Sequence, residues 1–249
     1  MYNLLIDIGN SDIKAALNLP GSYDIKLIKR YSYQKKSFRK DFNSGLESIF
    51  RFIDNTQLIK IGISVLNNEY KDFTGKYIYR QTGIDPVFVD RNIRLPIKIK
   101  YGEGIGNDRI CNAVAAREIF GKKNMLIIDF GTATTYTMVS GNVLKGGLIA
   151  PGIKTSMLSL TEKTSLPEIE LVFPKKIINN NTIDNIKSGV MHQSYYSVIG
   201  IIKELRRKNK FLFTIATGGL SELFDFDKSV INITDKYLAL KGIGIILSK

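Results

Sequence analysis

Cysteine and histidine are almost missing from this chain of 249 residues: Cys111 and His192 are the only ones. A single cysteine excludes an internal disulfide and a cysteine-based metal site. The lone histidine lies in SGVMHQSYY, a helical setting in which a surface or half-buried role is the ordinary one. No zinc site of the usual kinds and no histidine-based triad is read from it. No apolar run approaches the ~18 residues of a membrane span. Met1 leads straight into YNLLIDIG, without a basic leader or a cleavage site, so no signal peptide is expected. A reduced, cytoplasmic setting and no membrane partner follow as expectations. Acidic residues are also in short supply, 23 against 36 basic ones, for a formal net charge of +13. That excess suits anionic partners such as nucleotides, nucleic acid or a membrane surface. Much of it is scattered lysine, however, and a solvated surface is the simpler reading, with nucleic acid an unlikely partner. The run KKSFRK (35–40), near Tyr31 and Tyr33, mixes basic and aromatic residues as single-strand binders do. A solvated loop or helix edge explains it as well.

What is present is an α/β pattern. Hydrophobic residues make up 44% of the chain, enough for one large domain or two ordinary ones. Short apolar runs predict strands at 2–8, 12–18, 59–65, 86–89, 124–130, 133–140, 143–149 and 211–216. Helical spacing predicts helices at 41–54, 67–81, 107–120, 186–206, 219–224 and 236–248. No low-complexity linker separates domains. A tight boundary is placed at Gly121, where DRICNAVAAREIF ends in a glycine stop, giving lobes of 1–121 and 122–249.

Two stretches half a chain apart use one device. LLIDIGNSDIKAAL (4–17) and LIIDFGTATTYTMV (126–139) each run strand, Asp-x-Gly-[Asn/Thr]-small, strand. This layout argues for two related α/β lobes facing each other across a cleft. Gly9 and Gly131 would relax the backbone so that successive N–H groups point at an anion. Asn10, Ser11 and Thr132 supply neutral donors for phosphate oxygens. An aspartate repels phosphate unless a cation intervenes, as Mg²⁺ does when it carries nucleotide phosphates. Asp7, directly or through water, is therefore a candidate for Mg²⁺, and Lys14 on the outgoing strand adds a point charge. The bland alternative is that both turns are hairpins and nothing more. A third piece, Ala216-Thr217-Gly218-Gly219-Leu220, follows the strand FLFTIA, and its Gly-Gly would let an adenine or ribose lie against the backbone.

Two look-alikes fail. GLIAPG (147–152) followed by Lys154-Thr155 misses a Walker A loop because Ile153 stands where the lysine must be. GEGIGNDR (102–109) imitates a dinucleotide fingerprint but lacks its third glycine, and Lys122 and Lys123 stand near the place of the ribose acid.

Two phosphate hairpins followed by an adenosine Gly-Gly resemble the actin/hexokinase/sugar-kinase ATPase superfamily. Within it the chain resembles the type III pantothenate kinase family. The resemblance rests on IDIGNSDIK (6–14), GNDRICNAVAA (106–116), IIDFGTATTY (127–136), GGLIAPGI (146–153), the run 181–189 and ATGGL (216–220), in the family's order from end to end. It implies two ribonuclease-H-like lobes with mixed sheets and flanking helices, and a homodimer. It also implies ATP-dependent phosphorylation of pantothenate, with Mg²⁺ and a monovalent cation, K⁺ or NH₄⁺. By the same resemblance, Asp7, Gly9, Asn10, Ser11 and Lys14 form the first ATP-phosphate motif, Thr132 the second, and Gly218 and Gly219 the adenosine motif. Asp129 matches the monovalent-cation position. Gly106, Asn107, Asp108 and Arg109 match the substrate motif, with Asp108 as catalytic base, and Tyr101 and Thr182 resemble further pantothenate contacts, Thr182 serving the partner subunit's site. The chain departs from the family in three places, the least consequential being the ending TDKYLALKGIG, which lacks a proline often seen there. Asn107 replaces the small residue common there, and the 101–106 segment is shorter than usual.

Phosphoryl transfer to an alcohol asks mainly for alignment and charge neutralisation. A helix start keeps Asp108 ionised, which makes it a weak base but a good acceptor for a hydroxyl proton. Arg109 could grip a substrate carboxylate. Asp108 as a mere helix cap is the competing explanation. Two other functions stay open: a kinase or phosphatase of another small alcohol, since the nucleotide clamp cannot name its acceptor, and a basic nucleic-acid-binding or regulatory protein.

Overall fold

The structure is a computed structural model that describes residues 1–51, 57–162, 164 and 166–249, with the side chains of 27 and 28 left aside. The chain divides into two compact units. The first comprises Met1–Gly121, Asn142–Leu144 and Tyr237–Lys249; the second comprises Lys122–Gly141 and Lys145–Lys236. Gly121 ends its helix in the left-handed region, with φ 59°. The stretch 237–249, assigned from sequence to the second lobe, packs with the first, because its helix is apolar on every side and needs a buried seat.

The first unit is built on β1 (Tyr2–Ile8), β2 (Asp12–Asn18), β3 (Ile25–Ser32), β4 (Leu58–Val65) and β5 (Val87–Phe88), in the sheet order β3-β2-β1-β4-β5. The strands β1, β2 and β3 run antiparallel in turn, while β4 runs parallel to β1 and β5 to β4. The central strand YNLLIDI is buried almost throughout, as a strand covered on both faces must be. Helices α1 (Phe38–Phe50) and α2 (Lys71–Thr82) share one cluster with the sheet, in which Phe38, Phe42, Leu46 and Ile78 meet Ile6, Ile8, Ile13, Ile61 and Ile63. Helices α3 (Asn107–Phe120) and α6 (Leu238–Leu247) pack on each other, and α6 also covers β1 and β4. The contact of α6 with α3 is close enough to need glycine: a Cβ at Gly242 would lie 2.0 Å from the Cys111 carbonyl oxygen. β6 (Lys98–Ile99) lies parallel to the opening residues of β9 (Val143–Pro151), Lys98 opposite Val143 and Ile99 opposite Leu144.

The second unit repeats the plan. Its strands β7 (Asn124–Phe130), β8 (Ala133–Ser140), β9, β10 (Leu212–Thr217) and β11 (Ile233–Thr234) take the order β9-β8-β7-β10-β11, so the antiparallel hairpin again sits beside a parallel strand. Helices α4 (Ile153–Thr161) and α5 (Thr182–Lys208) supply Ile153, Met157, Met191, Val198 and Ile202 to a core that includes Leu126, Ile128 and Phe130. Tyr195 stacks on Phe226 at 4.8 Å, and Phe224 packs beside both.

The sequence pattern misses β3, β6, β11 and α4. The segment IKLIKRYS interrupts its apolar residues with lysine and arginine, as edge strands do, and β6 and β11 are two residues each. Residues 219–224, expected as a helix, form turns, because Gly218 at φ 94° sends the chain out of helical geometry. The helix expected over 41–54 starts earlier, at Phe38, and its expected end at 52–54 lies outside the described residues. The helix expected from 67 begins with a 3-10 turn at Asn68–Tyr70, capped by the Asn67 side chain.

Candidate active site

Asp7 is the next-to-last residue of β1 and only 5% exposed. Lys14 stands directly opposite on β2, with its Nζ 3.7 Å from Asp7 Oδ2. The other carboxylate oxygen, Oδ1, is buried with no hydrogen-bond partner. A buried anionic oxygen without a partner is costly, and a cation is the partner that best offsets the cost. The turn that follows is tightly held. The Gly9 N–H donates to the Asp12 carbonyl at 3.0 Å, and the Tyr33 hydroxyl donates to the Gly9 carbonyl at 2.6 Å. The Tyr33 N–H reaches the Ser11 carbonyl at 3.1 Å. Burial, with Tyr70 and Asp12 nearby, pushes the Tyr33 hydroxyl up to about 12, so it stays a donor. Asn10 and Ser11 are left exposed at the tip. Neither Gly9 nor Gly131 is in the left-handed region, and a Cβ there would come no nearer than 3.4 Å to the Asp12 carbonyl or 3.5 Å to the Ala133 carbonyl, so the expected relaxation of the backbone is not found at these turns. Beside the turn, burial raises the Asp12 carboxyl, but hydrogen bonds from Arg30 (2.7 Å) and Ser32 (2.6 Å) outweigh it and hold the group below its ordinary value.

Asp108 is set by three neighbours. Gly106 caps α3 in extended geometry, and a Cβ there would come within 2.4 Å of Asp108 Oδ1. The Asn107 amide donates to the Val65 carbonyl at the end of β4 (2.9 Å), next to Ser64, the parallel partner of Asp7. Asp108 Oδ1 also accepts the Arg109 N–H at 2.8 Å. The buried Arg109 guanidinium lies over the Tyr101 ring at 5.0 Å and reaches its hydroxyl at 3.3 Å, and Arg91 holds the carbonyls of Tyr101 and Gly102. Burial drives the Cys111 thiol up, and the charges of Asp7 and Asp108 drive it further. Asp7, Lys14, Asp108, Arg109 and Tyr101 thus gather at one end of the first unit's sheet.

The second unit copies the strand frame with a shorter turn. Asp129 is next-to-last on β7, as Asp7 is on β1, and its parallel neighbour is a hydroxyl residue again, Thr217 in place of Ser64. The bond from the Leu66 N–H to the Ile8 carbonyl has its counterpart in Leu220 to Phe130, each 3.2 Å. The turns differ by one residue: Asp7 faces Lys14, seven positions on, but Asp129 faces the neutral Thr135, six positions on. A Cβ on Gly218 would lie 2.3 Å from Asp129 Oδ1, 2.7 Å from the Phe130 carbonyl oxygen and 2.8 Å from the Phe130 nitrogen, so only glycine fits against the end of β7. Gly218 is buried and Gly219 half-buried. Thr132 is exposed, while its carbonyl is fixed by the Gly152 N–H (3.1 Å) and the Thr155 hydroxyl (2.6 Å). The Pro151-Gly152 loop therefore braces the second turn from behind. Thr182 opens α5 after an Asn181–Asp184 cap and lines a cavity of about 410 Å³ with Leu160, Ile186 and Gln193.

Sequence reasoning reads Pro151-Gly152 as a rigid loop behind the second hairpin, as found, but misses Tyr33 and Thr155 as turn braces. Tyr33 acts from a segment 24 residues away, which no local pattern marks. Among the described residues no group of three or more His, Cys, Asp or Glu is arranged to hold a metal ion. A divalent ion at Asp7 would complete its shell with water and phosphate oxygens, the habit of Mg²⁺.

Comparison with known proteins agrees with this geometry. The family model described as type III pantothenate kinase matches residues 3–204. The chain belongs to the type III pantothenate kinase family. It is 37% identical over 171 residues to a type III pantothenate kinase of Halalkalibacterium halodurans, covering 67% of each chain. It is 30% identical over 245 residues to that of Petrotoga mobilis, covering 96% of this chain and 95% of the relative. A ROK family glucokinase from Streptomyces griseus, solved with glucose and AMPPNP, shares the fold alone: TM-score 0.53 and 11% identity over 99% of both chains. At the substrate motif, the Asn107 amide is spent on the β4 carbonyl.

Proposed function

We propose that the protein transfers the γ-phosphoryl group of ATP to the hydroxyl of pantothenate, giving 4'-phosphopantothenate, the first step of coenzyme A synthesis. Family membership supports the reaction. The observation that carries the site assignment is the partnerless buried Asp7 Oδ1 beside Lys14. Asp7, directly or through water, would hold Mg²⁺, which neutralises phosphate charge when bound. Lys14, Asn10, Ser11 and the N–H groups of the first turn take phosphate oxygens, and Thr132 does so on the second. Gly218 and Gly219 meet the adenosine. Asp129, by its place in the family motif, would hold a monovalent cation, K⁺ or NH₄⁺.

Asp108 orients the pantothenate hydroxyl and accepts its proton as the oxygen bonds to phosphorus and the bond to the β-phosphate oxygen breaks. Its place in the first turn of α3 keeps it ionised, so it acts late, as a loose transition state allows. Arg109 binds the pantothenate carboxylate, with Tyr101 beneath it and Gly106 and Asn107 shaping the approach. Thr182 of the partner subunit completes the pocket. A homodimer is supported by the apolar exposure around α4 and α5, where Leu160, Ile183 and Tyr196 are 50%, 37% and 55% exposed. Among the described residues no helix is long and apolar enough to cross a membrane, and a cytoplasmic location accords with that.

The test is ATP-dependent phosphorylation of pantothenate with Mg²⁺, in potassium and in sodium, by wild type and Asp108→Asn. Potassium-stimulated turnover that the variant lowers by orders of magnitude is expected. A folded wild-type protein that is inactive in both salts would overturn the assignment and point to another small alcohol.

A further inference from the structure

The KKSFRK run forms an exposed turn and helix start that lines a concavity. Lys35, Lys36, Arg39 and Lys40 stand on the wall of a pocket of about 400 Å³, opposite Glu69 and Phe73. Four cations in six residues face a single carboxylate there, and none of the four makes an ion pair among the described residues. Asp41, the nearest acid on the same helix, is occupied by the Ser37 hydroxyl (2.6 Å) and the Gln34 N–H (3.3 Å).

The backbone adds to the same field. Two helices start at this pocket, α1 at Phe38 after the 3-10 turn Lys35–Ser37 and α2 at Lys71 after the Asn67-capped turn Asn68–Tyr70. The positive ends of two helix dipoles therefore lie beside it. The rings of Phe38 and Tyr70 stack at 3.6 Å and 11°, which fixes the two starts against each other. Arg39 and Lys40 in the first turn of α1 have the wrong sign for that position, and like charges spaced along one helix edge repel. Such a concentration of unfavourable charge becomes favourable once an anion sits in it.

The pocket is also tied to the first phosphate turn without being part of it. The Tyr33 ring packs edge-on against Phe38 at 5.0 Å and Tyr70 at 6.1 Å, and the same residue bonds the carbonyls of Gly9 and Ser11.

We propose that the pocket between the starts of α1 and α2 binds a phosphate-bearing small molecule with at least two negative charges, at a site distinct from the Asp7 turn. A volume of about 400 Å³ suits a small molecule. The cations converge on one concavity, whereas a nucleic-acid strand would call for a basic stripe with outward-facing rings. Here Phe38 is only 2% exposed. The site stands or falls independently of the kinase assignment.

The test is calorimetric titration of the whole protein with inorganic pyrophosphate, without divalent cations and at low ionic strength. Four proteins are compared: wild type, Lys36→Gln/Arg39→Gln/Lys40→Gln, Lys14→Gln at the phosphate turn, and Lys175→Gln/Lys176→Gln/Lys210→Gln as a charge-matched control on exposed lysines. The replaced side chains in the pocket are exposed, and circular dichroism checks that the fold is kept. A component that weakens at least tenfold in the pocket variant, and persists in Lys14→Gln and in the control, is expected. Equal weakening in the control, or unchanged binding in the pocket variant, would overturn the proposal. So would pocket-dependent binding of an oligothymidylate that pyrophosphate fails to displace, which would make the face a nucleic-acid surface.

Discussion

Gly242→Ala would strike the contact that seats α6 on α3. The new Cβ would lie 2.0 Å from the Cys111 carbonyl oxygen, 2.5 Å from its carbon and 2.8 Å from Cα. All three are backbone atoms of another helix, so no side chain can swing away, and α6 must withdraw by about 1.5 Å to restore ordinary contact. Overpacking costs ~1–3 kcal/mol where side chains yield, and a backbone clash belongs at the top of that range or above it. The withdrawal also loosens Ile243 and Leu247 from Gly62 on β4, which they now abut. Replacing glycine in a helix returns about 1 kcal/mol. The net is a loss of about 2–3 kcal/mol, which for a chain of this size lowers Tm by about 4–12 °C. Gly200→Ala in α5 is the control, since nothing lies within 4 Å of its added Cβ. It should stabilise by about 0.5–1 kcal/mol. Thermal unfolding followed by far-ultraviolet circular dichroism reads both. If the two substitutions shift Tm in the same direction, the close approach of the helices is not what glycine serves at 242.

Gly218→Ala combines φ 94° with a clash at Asp129 and should destabilise by about 3–5 kcal/mol; Gly21→Ala, at φ 78° in open space, should lose only about 1–2 kcal/mol, and urea midpoints separate them. Asn107→Ala removes the bond to the Val65 carbonyl, worth about 1–2 kcal/mol; kcat for pantothenate should fall more than KM rises, and a change in KM alone would mean direct substrate contact. Asp12 has a folded pKa below its ordinary 3.8, so its contribution to stability is present above that value and lost as pH falls through the lower one. The stability gap between wild type and Asp12→Asn should therefore be open at pH 7 and close under strong acid, as denaturant midpoints across pH would register.

The frame of the site was legible because its signals are local. Strand, Asp-x-Gly, strand is visible in fourteen residues, and the α3 start carries its motif in four. What was illegible depends on distance along the chain. The register difference between the two hairpins, which gives Asp7 a lysine and Asp129 a threonine, is a one-residue change that a motif comparison passes over. Gly218 was read as room for a ring, and the structure adds that its hydrogen faces Asp129. The seat of 237–249 was misjudged because an apolar helix says that it must be buried but not where. The basic run at 35–40 is exposed as its composition suggests, but the second wall of its pocket, 69–73, arrives 30 residues later and leaves no mark in the run itself.

The return of α6 to the first unit bears on how the protein is made. Residues 1–121 emerge with a sheet whose α6-covered face is still bare, and more than a hundred residues follow before Tyr237 appears. At the pace of synthesis, that leaves β1, β4 and α3 without their cover for ~10 s. The second unit, Lys122–Gly141 with Lys145–Lys236, has all its residues before Tyr237 appears and can close first. The unit that begins first is thus finished last. Any cut that removes that helix would leave a chain with its motifs intact in sequence and its first sheet unable to settle.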